Sequence, residues 1–322
     1  MAKYIVKRVL LLLLTTFVIM TICFVLVKLL PNPIIWSPGK DLSQELALRE
    51  AWGYNKPILE QYKIFLQKVF TEWDWGYCTK VGTKFMDVTE YIGSKLPATI
   101  AVNLYSILIS VPLGILFGIY AALKKNKWQD QIISVGVMIF ISVPSYVYAF
   151  VVQYFIGFKL GWFPLTIDPG TDYFSWHMFV SMMLPILSLS FGTIAGLMRF
   201  TRAELTETLT SDYMLLARTK GLTRGQATVR HALRNSMVPI LPMIIGEFIG
   251  ILSGSLIIEK IFAIPGIGSV YVASIGLRDY NVFMAVSMFY TIVSLVAGLI
   301  IDLSYGFIDP RIRMGGGKTN EY

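Results

Sequence analysis

Apolar residues in this chain come in long unbroken runs, not in the alternating or three-and-four spacings of a soluble protein. A helix needs about 20 mostly apolar residues to cross a bilayer. Six stretches approach or exceed that scale: residues 9–30, 98–123, 131–158, 178–198, 238–258 and 282–301. Pro144, after Ser142-Val143, predicts a kink in the third, and Pro185 lies inside the fourth. The first run follows Lys3, Lys7 and Arg8. It outlasts the short apolar core of a signal peptide and ends Lys28-Leu29-Leu30-Pro31-Asn32-Pro33, without a small-x-small cleavage site. It reads as a retained helix.

The segments between the runs sort by charge. Residues 1–8, 123–130, 199–237 and 306–322 together carry +10. Residues 31–97, 158–176 and 259–281 together carry −1. An excess of Lys and Arg marks the cytoplasmic side. Both termini and the 199–237 loop are therefore expected inside, and the polar segment 31–97 outside. This organises the chain as an N-terminal helix (1–30), an external segment (31–97), a five-helix core (98–305) and a cytoplasmic tail (306–322). Helical texture runs through 47–70. Trp73, Trp75, Tyr77 and Tyr91 are candidates for contact with an external protein or for an interfacial belt.

Composition agrees with a lipid solvent. Apolar residues make up 55% of the 322 and charged residues 15%, well below the ~25% of a soluble domain. The net charge of +8 is spent on membrane sidedness, so nucleic acid is not an expected partner and membrane lipid is. Cys23, Cys78, His177 and His231 show no metal-ligand spacing, and no metal is expected.

The 199–237 loop is the most specific part. Ser211 or Asp212 is placed to cap a short helix through Tyr213, Leu216 and Ala217, and Gly221 to stop it as a C′ glycine. Thr223-x-x-Gln226 has the form of a capping box. It starts a second helix, expected from Arg224 to about Asn235, with Pro239 soon after. An apolar face of Tyr213, Leu216 and Ala217, flanked by Arg218 and Lys220, fits a groove on a cytoplasmic partner. An amphipathic elbow lying on the inner lipid surface fits it too.

The string Asp212-Tyr213 … Ala217-Arg218-Thr219-Lys220-Gly221-Leu222 … Arg230-His231-Ala232-Leu233-Arg234-Asn235 resembles the coupling loop of ABC importer permeases. The version is that of the peptide and nickel branch. Compared with the general loop it keeps Ala217, Gly221 and Leu233, and has Leu215 and Leu216 at the usual Glu and first Ala positions, His231 at the Ile position and Arg234 at the Pro position. The segment from Glu259 to Gly268, Arg278-Asp279-Tyr280, Asp302-Leu303 with Asp309-Pro310-Arg311-Ile312-Arg313, Lys7-Arg8 and Trp75-Gly76 are similar to further family motifs.

The resemblance implies an all-α integral membrane protein with the six-helix type I importer permease fold, multi-pass in a bacterial plasma membrane. It implies a second homologous permease, two cytoplasmic ABC ATPase subunits and an extracellular substrate-binding protein as partners. Peptides are the implied substrate, and nickel chelates and opines share the architecture. The chain is then no enzyme and binds no cofactor, because ATP and Mg belong to the partner ATPases. Asp212, Tyr213, Leu216, Ala217, Arg218, Lys220, Gly221, Leu222, Arg230, Leu233 and Arg234 are the implied coupling residues. Glu259, Pro265, Gly266 and Gly268 fall in the outer loop, where they shape a gate or form a plain turn.

Glu247 stands inside the fifth run, where a carboxylate costs ~2.5–3.5 kcal/mol unless it meets water or a partner. It either lines a pathway or is a structural, hydrogen-bonded carboxyl between helices. Asn103 and Gln153 carry the same two readings. Gly315-Gly316-Gly317-Lys318-Thr319 is not a phosphate loop, since Ile312 stands where its first glycine belongs. An intramembrane enzyme would need paired Asp, Ser/His or metal ligands that the runs lack. An ion-coupled secondary transporter would show two related halves.

Overall fold

Proline, glycine and buried polar groups decide where the apolar runs bend and stop. The computed structural model describes residues 2–30 and 42–308. In chain order the helices are α1 (Ala2–Leu29), α2 (Leu42–Ala51), α3 (Ile58–Gln67), α4 (Val88–Leu123), α5 (Trp128–Ser142), α6 (Ser145–Val152) and α7 (Trp176–Ser181). Then follow α8 (Met183–Leu209), α9 (Asp212–Thr219), α10 (Arg224–Ala227), α11 (Leu233–Gly250), α12 (Leu256–Ile261), α13 (Ile267–Leu277) and α14 (Tyr280–Ile308). Residues 31–33, the 309–313 signature and the 315–319 glycine run lie outside the described residues.

Among the described residues, five helices are long and apolar enough to cross a membrane: Ile5–Leu29, Val88–Leu123, Met183–Leu209, Arg224–Ser253 and Tyr280–Tyr305. The third run makes the sixth only as a broken pair, Trp128–Ser142 and Ser145–Lys159, bent by 105°. The expected kink is thus a right-angled break. Pro144 has no N–H to give the preceding turn, and Val143 before it is extended (φ −93°, ψ 127°). The fifth run also ends early. Its helix stops at Ser253, and Gly254 takes φ +60° and ψ −176°, a conformation essentially confined to glycine.

The chain divides into two compact units. One comprises Leu96–Ser269 with the chain from Val293 onward. Here α8 packs against α5, α6 and α11. It also approaches α4 where α4 carries Gly114-x-x-x-Gly118. A Cβ on Gly114 would stand 2.8 Å from Leu197 Cβ, and one on Gly118 2.5 Å from Thr201 Cβ. Between helices in lipid, such small-residue seams supply the van der Waals contact that hydrophobic driving force cannot. Met182, Leu184 and Ile186 are fully buried among Ala98, Ala101, Ile258 and Phe262.

The other unit comprises Ala2–Lys95 with Val270–Ile292. The helical texture of 47–70 is two helices, split where Gly53 turns at φ +66°. The Phe24 ring of α1 lies 5.1 Å from Tyr62 and 5.0 Å from Phe65, seating α1 on α3. Lys28 stands with its ammonium 3.7 Å from the centre of the Tyr54 ring, a cation–π contact. Trp75 and Tyr77 are buried, which removes them from the candidates for external contact; Trp73 is 65% exposed. Asp279 is fully buried, and its Oδ2 accepts the N–H groups of Thr79 (2.7 Å), Lys80 (2.7 Å) and Val81 (3.0 Å). Three converging amides offset the desolvation of Oδ2, while Oδ1 is buried with no hydrogen-bond partner among the described residues.

Candidate coupling elbow and pathway pocket

The expected loop at 199–237 is mostly helix. α8 outruns its apolar stretch to Leu209, and α9 occupies Asp212–Thr219. Ser211 stands at the N-cap position, but its hydroxyl donates back to Thr208 O (2.6 Å) and makes no cap. Asp212 lies in the first turn, where a carboxylate meets the positive end of the helix dipole.

α9 ends in a Schellman motif. Gly221 has φ +90°; its N–H donates to Arg218 O (3.0 Å) and the Leu222 N–H to Ala217 O (3.3 Å). The Leu222 side chain packs on the cluster that holds Ala217, the contact that accompanies this motif. A capping box follows immediately. The Gln226 N–H donates to Thr223 Oγ1 (3.3 Å), and the Thr223 N–H donates to Gln226 Oε1 (3.1 Å). The second helix does not stop before Pro239, as the sequence predicted. It is one rod, Arg224–Ser253, with Pro239 and Pro242 inside it and a π turn at Thr228–Ala232. Within membrane helix packing, neighbours re-satisfy the carbonyls that proline frees.

The faces of α9 also differ from expectation. Ala217 and Met214 are buried with Ala122, Leu205, Ala227 and Ala232, so Ala217 is a foot of the elbow and no part of a docking face. Tyr213, Leu215 and Leu216 are 39%, 64% and 55% exposed. Leu215, which the sequence marked only as a departure from the general loop, takes the place of Ala217. Arg218, Lys220, Arg230 and Arg234 are exposed, and Leu233 is half-buried against the same cluster.

A pocket of about 590 Å³ opens in the same unit. Asn103 and Ser106 of α4, Leu189 and Thr193 of α8, Met243 and Glu247 of α11, and Ile301 of α14 line it. Glu247 is half-buried, and Thr193 Oγ1 lies 3.5 Å from its Oε2, at the limit of a hydrogen bond. Because the rod ends at Ser253, the carboxylate lies six residues, or ~9 Å, from that end. Asn103 donates to Thr99 O (2.7 Å) and stays on the pocket wall. Gln153 is not brought there. Its amide donates to Leu165 O (2.9 Å) and reaches Ile261 O (3.4 Å), satisfying backbone carbonyls beyond the broken helix. Thr193 and Ser106 were missed because hydroxyl residues inside an apolar run carry no periodic signal.

Glu259 organises the loop between α11 and α13. It is 3% exposed, and its carboxylate accepts Thr99 Oγ1–H (2.9 Å) and the Ser269 N–H (3.0 Å). Thr99 Oγ1 in turn accepts the Ile267 N–H (2.9 Å). Burial pushes the carboxyl above the usual range, while the amide of Ser269 and the hydroxyl of Thr99 pull it back. Gly254, Gly266 and Gly268 crowd round it. A Cβ on Gly266 would stand 2.4 Å from Thr99 Oγ1 and 2.5 Å from Glu259 Oε2. Pro265, Gly266 and Gly268 therefore form a turn wrapped on a buried carboxylate.

Residues 114–314 match the family described as binding-protein-dependent transport system inner membrane component, and residues 1–103 match its N-terminal counterpart. Similar proteins include the dipeptide transport system permease protein DppB of Lactococcus lactis, 36% identical over 98% of this chain and 100% of that protein. DppB of Bacillus subtilis is 33% identical over 98% and 99%. The oligopeptide transport system permease protein OppB of Haemophilus influenzae is 31% identical over 97% and 100%.

Proposed function

The chain belongs to the family of binding-protein-dependent transport system inner membrane components, and on that premise we propose that it imports peptides as one of two paired permeases driven by cytoplasmic ATPases. It is a multi-pass membrane protein of the permease type. The similarity to dipeptide and oligopeptide permeases, full-length in each case, supports peptides as the cargo. A second similar permease, two ATPase subunits and an external binding protein complete the machine. ATP hydrolysis takes place in the ATPases.

The observation that carries this reading is the elbow. Tyr213, Leu215 and Leu216 are exposed on an eight-residue helix that is stopped by the Schellman turn at Gly221 and backed by a buried foot. Apolar side chains held out on a braced stub fit a groove on a soluble partner. The charge sorting supports a cytoplasmic location for the elbow and for both termini. The pocket under Glu247 then forms one wall of the pathway, and the second permease supplies the other.

Purification of the chain with its ATPases tests the proposal. Replacing Leu215 and Leu216 together by Ser should lower the ATPase retained per permease about tenfold, with membrane levels unchanged. Undiminished ATPase retention would remove the elbow as the docking element.

A further inference from the structure

The pocket wall carries a carboxyl group with no cationic partner among the described residues that line it. Glu247 is the only acidic or basic side chain among the described residues that line the pocket, where Tyr305 adds a phenol and Ile107, Leu189, Met243 and Ile301 make much of the rest apolar. Its one side-chain hydrogen bond is the 3.5 Å contact from Thr193. A carboxylate in low-polarity surroundings attracts a cation more strongly than one in water. An unpaired carboxylate there also carries the insertion cost that intramembrane acids normally offset with a partner. Asn103 and Ser106 on the facing helix add polar atoms of neutral charge.

We infer that Glu247 receives the primary ammonium group of the passing peptide, so that the permease itself discriminates among cargoes during translocation. Ammonium has three donors and no acceptor, which matches a carboxylate beside hydroxyls and a side-chain amide. The contact is made at the edge of an open pocket of about 590 Å³ and not in a closed cage, so the bound group can leave again. A peptide offers this group at its N-terminus or on a lysine side chain. Both sources share the chemistry, and the half-buried carboxylate takes either. This inference rests on the pocket being part of the pathway.

The test uses the complete complex in liposomes, with the binding protein preloaded with each peptide. Three peptides of one sequence are compared: free at the N-terminus, N-acetylated, and N-acetylated with one lysine. The quantity read is the uptake of each ammonium-bearing peptide relative to the acetylated, lysine-free one. Glu247→Gln should lower that ratio about tenfold, the loss expected for a charge-assisted hydrogen bond. Glu247→Asp should keep most of it. The free and lysine peptides identify which source the carboxylate takes. A ratio unchanged in Glu247→Gln overturns the inference, and so does a ratio lost in Glu247→Asp, even where the Gln protein does not assemble. A separate arm tests the pathway: Thr193→Cys, with Cys23 and Cys78 removed, modified by a bulky thiol reagent. Blocked uptake in that arm with no ratio change in Glu247→Gln sinks the ammonium contact alone. Undisturbed uptake in the modified protein sinks the pathway assignment.

Discussion

Arg202 holds Asp130 by both oxygens: Nε donates to Oδ1 and Nη2 to Oδ2 at 2.7 Å. The carboxylate is 2% exposed and also accepts the Asn126 N–H at 3.0 Å. The pair joins the first turn of α5 to the part of α8 that runs toward the elbow. Removing one partner of a buried pair strands the other, at a cost of ~3–5 kcal/mol. Arg202→Ala should therefore sharply lower the amount of assembled complex, and Arg202→Lys should recover only part because a lysine cannot bind both oxygens. Arg202→Ala combined with Asp130→Ala should be more stable than Arg202→Ala alone. Thermal unfolding of the purified protein in detergent, with the three variants and the parent protein side by side, checks this.

Gly221 is constrained by its backbone and not by its neighbours. A Cβ there would meet nothing within 4 Å, yet φ is +90°. A non-glycine residue in a left-handed conformation costs ~1–2 kcal/mol, and a β-branched one more. Gly221→Val should abolish transport and uncouple ATPase activity at normal membrane levels, and Gly221→Asn should be milder. Normal transport by the Val variant would show that the Schellman turn does not aim the elbow.

Cys78 should be silent toward thiol reagents. It is fully buried, and burial, helped by Asp279 and Asp87, pushes its thiol up to about 12. The reactive thiolate is therefore scarcer at pH 8 than in a free cysteine, and labelling should keep rising with pH beyond ~9. A cysteine at Glu60, which is exposed, should react with an impermeant reagent from outside, and one at Arg224 only after the membrane is opened. The reverse pattern would invert the orientation read from charge.

Glu259 should leave a pH signature. Burial raises its carboxyl, so the folded protein binds this proton more tightly than the unfolded chain. Its contribution to stability is whole below the unfolded value of ~4.3 and is lost as pH rises through the folded value. The detergent-solubilised protein should lose melting temperature as pH rises above ~4, and Glu259→Gln should flatten that slope. Gly266→Ala should destabilise at every pH, by ~1–3 kcal/mol, because its Cβ overlaps Thr99 and Glu259.

What the sequence made legible was local chemistry. Apolar runs located the spanning helices because lipid leaves the backbone few alternatives. Gly221 and the Thr223/Gln226 pair marked the elbow because caps are written within a few residues. Asp87 could have moved the start of α4 outward from residue 98, since it accepts the N–H groups of Thr89 (2.7 Å) and Glu90 (3.2 Å). The illegible part was long-range. Thr193 and Glu247 are 54 residues apart, Asp130 and Arg202 72, and Thr99 and Glu259 160. No composition rule links such pairs. Ala217 failed differently: an alanine at the edge of an apolar stripe can face either way, and packing chose inward.

The unbroken rod from Arg224 to Ser253 has a mechanical meaning. Its elbow-side tip begins at the capping box, and Glu247 rides 23 residues further along it, ~35 Å away. A hinge loop between elbow and membrane would have absorbed small displacements as slack. A helix transmits them, so a shift of a few ångströms at the tip becomes tilt or rotation of the surface bearing the carboxylate. The compliant points along this lever are the π turn at Thr228–Ala232 and the two prolines, Pro239 and Pro242. If ATPases dock on the elbow as proposed, stiffness between those points, more than any one contact, sets how much of their stroke reaches the pocket.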